Sequence, residues 1–310
     1  LAESLLPTGE LAAAYSEHAP AMCLVPLFRR AIKYSDKSLA LRRKLGDVWG
    51  EGQTLTFYSC VLYYASRFEE CVEKGRQAIQ LLERTGDYWQ VHIARYQVAA
   101  ALYHLGQFDQ AILECRKNYE SGLALGDAFA SGIIFDVWVR ATQGNIDADA
   151  FARELRSSQP NDQSIAQINF AEGLHFLFQD KISEAITALE ASASIARGAG
   201  ISNGYTIPAR SWLASAYRKS ALKCLAHEGN KRAQHLRLAK KVARSAVRLG
   251  RICGNDLPRA YRELAIIYAA ENALRKALRY AAKSVDIART ITSRLDLANS
   301  LYLQSQIMKS

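Results

Sequence analysis

Three five-residue blocks recur at one fixed interval along this chain: Leu45-Gly46-Asp47-Val48-Trp49, Thr85-Gly86-Asp87-Tyr88-Trp89 and Leu125-Gly126-Asp127-Ala128-Phe129, with their glycines 40 residues apart. A fixed period constrains the fold more than composition does, because one repeated unit must bury its apolar face against copies of itself. Each block follows a helical pattern such as Cys71 to Leu82. The glycine supplies a left-handed residue just past a helix end, and the aspartate accepts hydrogen bonds from the free N–H groups of the next helix. Each block therefore predicts a joint where one helix stops and another starts.

Two helices fit between successive joints. In residues 86–125, Val91 to Leu105 reads as the first, Gly106-Gln107 as the turn and Phe108 to Leu123 as the second. Val98, Ala99, Leu102, Gly106, Phe108 and Ala111 follow the tetratricopeptide order of large, small, large, glycine, aromatic and alanine. Residues 46–85 match it with Ser59, Leu62, Phe68, Cys71 and Ala78, residues 164–198 with Gly173, Phe176, Ile182 and Ala185, and residues 256–292 with Tyr261, Leu264, Ala265, Tyr268 and Ala277. Trp49, Trp89 and Phe129 hold equivalent places and are expected to wedge between repeats as core residues. Pro26, Pro208 and Pro258 fall at helix starts and Pro160 in a joint. Only 6 prolines and 18 glycines interrupt the 310 residues, a balance that favours helix.

The expected fold is all-α: one right-handed α-solenoid of tetratricopeptide-like helix-turn-helix repeats over residues 1–310. Its pairs fall at 8–45, 46–85, 86–125, 126–158, 164–198, 205–253 and 256–292, with a capping helix at 295–309. Residues 126–158 are short of a full repeat, and 205–253 read as two long helices joined near Glu228-Gly229-Asn230. The 40-residue Gly-Asp form resembles the longer repeats of kinesin light chains and of bacterial STAND-type signalling ATPases. The run Gly254-Asn255-Asp256-Leu257-Pro258-Arg259-Ala260-Tyr261-Arg262-Glu263-Leu264-Ala265, with Tyr15-Ser16-Glu17-His18-Ala19, resembles the helical region that follows the ATPase domain in large bacterial sensor kinases and cyclases. That resemblance implies a sensor or docking arm whose partners include attached ATPase or kinase domains. It carries no catalytic residue.

Chemistry-bearing motifs are sparse. The chain contains no phosphate-binding loop, nucleophile elbow or zinc-binding helix motif. Gly198-Ala199-Gly200 with Gly204 follows a helix rather than a strand and reads as a joint, while Asp147 and Asp149 read as helix-start acids. The six histidines show no ligand spacing, and Cys23, Cys60, Cys71, Cys115, Cys224 and Cys253 form no C-x-x-C pair. Neither a cofactor nor a metal is expected. With no run of eighteen apolar residues and acidic Glu3, Glu10 and Glu17 near the start, no membrane span or secretory leader is read, and the expected compartment is the cytoplasm. The initial Leu1 suggests a piece of a longer chain.

Function in such a fold is expected on the face lined by the first helix of each pair. Transferring the usual groove positions selects Thr56, Cys60, Tyr63 and Tyr64, then Tyr96, Ala100, Tyr103 and His104, then Asp136 and Arg140, and finally Arg218, Lys219, Arg259 and Arg262. The first groups make an aromatic groove and the last a basic one. Charge sharpens the contrast, because residues 1–200 hold 19 basic and 24 acidic residues whereas residues 201–310 hold 21 and 6. Within Lys231 to Ile252 no acid occurs, and Arg237, Lys240, Lys241, Arg244, Arg248 and Arg251 form one stripe opposite Leu238, Val242, Ala246 and Leu249. Solvated faces normally mix signs, so the stripe is expected to meet an acidic protein or peptide. Nucleic acid is the alternative partner, disfavoured because no aromatic residue is interleaved in this helix.

Overall fold

The computed structural model describes residues 8–157 and 161–309, so Pro160 lies outside the described residues. The described residues form helices joined by short turns, in two compact units that meet in sequence at Ile134 and Phe135. The first unit contains α1 (Gly9–Cys23), α2 (Phe28–Leu45), α3 (Val48–Tyr64), α4 (Phe68–Thr85), α5 (Tyr88–His104), α6 (Phe108–Leu125) and α7 (Ala128–Ile133). The second contains α8 (Phe135–Ala141), α9 (Ala148–Arg156), α10 (Asp162–Phe178), α11 (Ile182–Gly198), α12 (Pro208–Lys223), α13 (Gly229–Leu249), α14 (Leu257–Ala270), α15 (Leu274–Thr290) and α16 (Arg294–Lys309).

The joints form as their sequence dictates. Gly46, Gly86 and Gly126 adopt φ of +67°, +78° and +68°, a region that costs any residue with a Cβ about 1–2 kcal/mol. One oxygen of the next aspartate then caps the following helix: Asp47 Oδ1 accepts from Gly50 N at 2.8 Å, Asp87 Oδ1 from Gln90 N at 3.2 Å, and Asp127 Oδ1 from Ala130 N at 3.1 Å. The second oxygen takes a side chain, Arg42 on Asp47, the Trp49 indole on Asp87 and His92 on Asp127.

Three of the pairs are tied internally as well. The hydroxyls of Ser38, Ser192 and Ser284 each donate at 2.7 Å to a backbone carbonyl of the preceding helix, those of Ala12, Ala166 and Pro258. Packing between the helices is tight enough to exclude a methyl group at Gly52, Gly75 and Gly173, where an added Cβ would lie 2.7, 2.4 and 2.5 Å from Leu82, Val98 and Leu189.

Three expectations need correction. Trp49 and Trp89 are 44% and 54% exposed, and Phe129 is half-buried, so the recurrent aromatics are not core wedges. They sit in the first turn of their helices at the edge of the joint, and the space between helices is filled by residues deeper in α3 and α5, such as Leu55, Leu62, Ala94 and Val98. The first helix of the fourth pair is broken at Ile134 into α7 and α8. In α13 the buried face is Leu236, Ala239, Ala243 and Ala246, whereas Leu238, Val242 and Leu249 are half-buried, so the apolar side is turned from the expected one.

Candidate functional site

Within each unit the first helices of successive pairs pack on one another, α1 on α3 and α3 on α5 in the first unit, α10 on α12 and α12 on α14 in the second. The second helices make no comparable contact with each other. That asymmetry decides where side chains are accessible. The expected groove positions lie on the closed side: Tyr63, Tyr64, Tyr96, His104, Arg140 and Arg262 are all buried, and Tyr103, Arg218, Lys219 and Arg259 are half-buried.

Apart from half-buried Lys219, these residues are engaged internally and do not present an open groove. Tyr63 packs near Phe68 and His104, with the Phe68 and His104 rings stacked at 4.7 Å. Arg140 pairs with Asp136 at 2.5 Å, both nearly inaccessible. Arg218 grips Glu263 at 2.6 Å, and Ser215 donates to the same carboxylate at 2.7 Å. Burial by itself would raise the Glu263 carboxyl, but the Arg218 and Arg259 charges and Ser215 hold it below the usual carboxylate range. Arg259 lies over the Trp212 ring, 3.2 Å from its centroid, and donates to Ser215. Arg262 pairs with Asp296 at 2.7 Å and donates to Ser300 at 3.0 Å, fastening α16 to α14. Three of the basic quartet, Arg218, Arg259 and Arg262, are thus ties between neighbouring helices.

The open side of the second unit carries a cleft of about 570 Å³ between α13 and α15, floored by α14. Its walls bring together Arg237, Lys240, Lys241, Arg244 and Arg248 of the expected stripe with Val247, Tyr261, Leu264, Tyr280 and Lys283. Arg251 is exposed beyond the end of α13 and does not line it. No lining residue is acidic. One carboxylate reaches the group from outside, that of Glu271, whose oxygens lie 2.5 and 2.6 Å from Lys240 Nζ. Arg237, Lys241, Arg244, Arg248 and Lys283 have no carboxylate partner among the described residues.

A stack of tyrosines holds this cluster of like charges. Tyr261 and Tyr268 stand two turns apart on α14, and the Tyr280 ring of α15 stacks on both, at 6.0 and 5.3 Å. Lys240 and Lys276 lie 4.7 and 5.6 Å from the Tyr268 centroid, Arg279 lies 5.3 Å from Tyr280, and Lys283 lies 5.9 Å from both Tyr261 and Tyr280. Arg244 donates to the Tyr268 hydroxyl at 2.9 Å. The negative ring faces offset part of the repulsion that carboxylates would otherwise neutralise. Sequence reasoning on α13 alone missed Tyr261, Tyr280 and Lys283. The available signal was that α15 is also acid-poor, with Arg275, Lys276, Arg279 and Lys283 preceding its single acid, Asp286.

A second constellation joins residues distant in sequence. His92 Nδ1 is 2.9 Å from Asp127 Oδ2, and its Nε2 is 2.8 Å from Ser121 Oγ. That is the connectivity of nucleophile, base and orienting acid. Ser121, however, lies inside α6, whose amides serve the helix, and the first amides of α7 are turned to Asp127 Oδ1. With those donors committed, no oxyanion site accompanies the serine, and the triad acts as a tie between α5, α6 and α7. The glycine-rich 198–204 segment is likewise closed on itself, because Asn203 Oδ1 takes the amides of Tyr205 and Thr206. Asp147 caps α9 through Ala150 N at 2.8 Å.

No protein-family model matches the sequence, and neither does any curated protein. Solved structures do resemble it. The apo form of RapI is 13% identical with a TM-score of 0.57, over 91% of this chain and 98% of RapI. The apo form of the quorum sensor NprR from B. thuringiensis is 10% identical with a TM-score of 0.53, over 94% of this chain and 87% of that one. The fold is that of tetratricopeptide-type helical repeats. At such identities the likeness extends to fold alone. No helix among the described residues is long and apolar enough to cross a membrane.

Proposed function

We propose that this chain is a non-catalytic binding module that takes an acidic protein or peptide partner at the α13–α15 cleft and relays its occupancy to attached signalling domains. The observation that carries this reading is a cleft lined by six cations and no acid, in which five of those cations lack a carboxylate partner among the described residues. Isolated cations on a surface are ordinary. Six converging on one cavity leave an electrostatic demand that an anionic partner meets, and such a field also speeds its arrival. NprR, a quorum sensor, shares this fold, and a sensing role is compatible with it.

Nucleic acid is the second reading, and the tyrosines beside the stripe bear on it. Single-strand binders offer free aromatic faces to bases. Here Tyr280 is stacked on both Tyr261 and Tyr268, and cations lie close to all three rings, which favours carboxylates over bases as the ligand groups. Fluorescence anisotropy with labelled poly-glutamate, duplex DNA and single-stranded DNA separates the two. Arg244→Glu with Arg248→Glu should weaken poly-glutamate binding at low salt by about tenfold or more and flatten its salt dependence. DNA binding tighter than poly-glutamate, with a salt slope falling by about one unit per lost phosphate contact, would overturn the acidic-partner reading, as would unchanged binding of every probe.

A further inference from the structure

Resting on that reading, we propose that the cleft selects an acidic segment that also carries an apolar residue, and that the segment displaces Glu271 from Lys240 when it docks. Arg237, Lys241, Arg244 and Arg248 follow one another along α13 at steps of four, three and four residues, so their attachment points rise by about 4.5–6 Å per step and the row runs about 16 Å. Carboxylates placed at every fourth residue of a helix match that spacing, and guanidinium groups bind carboxylates through paired hydrogen bonds. Lys283 faces the same cavity from α15.

The cavity is not lined by charge alone. Between the cations stand Val247, Leu264 and the rings of Tyr261 and Tyr280. At about 570 Å³ the space is roughly twenty times the volume of one water in the liquid, far more than a lone phosphate or carboxylate fills. A bare polyanion would satisfy the cations and leave the apolar wall wet, whereas an acidic segment bearing one leucine or similar side chain covers both. Specificity then divides between the two contacts. The charges draw in any acidic chain, and the apolar seat sorts among them.

Glu271 completes the device. It directly follows α14, its side chain is one-third exposed, and it occupies Lys240 with both oxygens. An arriving carboxylate can replace it at Lys240 without changing the number of ion pairs, which makes Glu271 an internal competitor that lowers affinity without blocking the site. Because the pair is at the surface, removing it should leave the fold intact.

The test is fluorescence anisotropy on the full chain with two labelled peptides, alike in placing Glu at every fourth position but carrying Leu or Ser between them, and with sodium triphosphate as a competitor. The Leu peptide should bind about tenfold more tightly than the Ser peptide. Val247→Ser should erase that difference without changing competition by triphosphate, with Val247→Ala as a milder variant should circular dichroism show that the serine variant is misfolded. Glu271→Gln should tighten both peptides a few-fold. Equal binding of the two peptides to the native chain, or a tighter grip on triphosphate than on the Leu peptide, overturns the proposal while the acidic-partner reading stands. If neither peptide nor poly-glutamate binds, that reading itself falls.

Discussion

Gly75→Ala tests the close packing of the repeats in a way that turns on a sign. Gly75 lies inside α4, where alanine in place of glycine ordinarily stabilises a helix by about 0.8–1 kcal/mol. Here an added Cβ would stand 2.4 Å from Val98 Cγ2 and 3.5 Å from the Ala94 carbonyl. Val98 is fully buried on α5 and is β-branched, so its rotamer is nearly fixed and the methyl group cannot swing away. Overpacking of this kind costs about 1–3 kcal/mol, which exceeds the propensity gain and leaves a net loss of about 1 kcal/mol. Val98→Ala by itself should cost about 2 kcal/mol in lost burial and cavity. Combined with Gly75→Ala it removes the obstructing methyl and with it the overpacking cost, so the double variant should be more stable than the sum of the singles by about 2 kcal/mol. Urea unfolding of the four proteins, followed by circular dichroism, measures this cycle. A Gly75→Ala variant more stable than the native chain, or strictly additive effects, would refute the close approach of α4 and α5. Gly86→Ala is the matched control: nothing lies within 4 Å of its added Cβ, so its expected loss of about 1–2 kcal/mol comes from the left-handed φ of +78° alone.

Two further predictions concern the second unit. Arg262→Ala leaves the buried Asp296 carboxylate without its guanidinium, a loss of about 3–5 kcal/mol in buried pairs; hydrogen exchange should show α16 and the end of α14 opening first, and uniform acceleration across the whole unit would count against a nearest-neighbour stack. His175 is held below the ordinary histidine value, first by burial and then by the Lys181 charge, against a raising contact at the Gly144 backbone. The folded state therefore favours neutral imidazole. The stability it supplies is present above the unfolded value of about 6.5 and is lost as pH falls through the folded one. Urea midpoints between pH 5 and 7 should slope upward with pH and flatten in His175→Gln. An unchanged slope would place the cause elsewhere.

The sequence by itself determined the helices and their joints. A left-handed glycine and a capping aspartate act within four or five residues, so Gly46-Asp47, Gly86-Asp87 and Gly126-Asp127 need no tertiary partner to end one helix and begin the next. The same locality made the acid-free stripe of α13 legible. Tertiary structure decided which faces are open. Because first helices pack against first helices, Tyr63, Tyr96 and His104 became core, Arg140 and Arg262 became buried ties and Arg218 a half-buried one, although their repeat positions suggested a groove. Trp49 and Trp89 went the other way, outward at the joint edge. The cleft itself depends on α13, α14 and α15 meeting, which sets Tyr261, Tyr280 and Lys283 against cations up to 46 residues earlier in the chain. Cap geometry and helix periodicity are properties of short windows, whereas exposure is set by whichever distant residues pack against a face, and no window of one helix contains them.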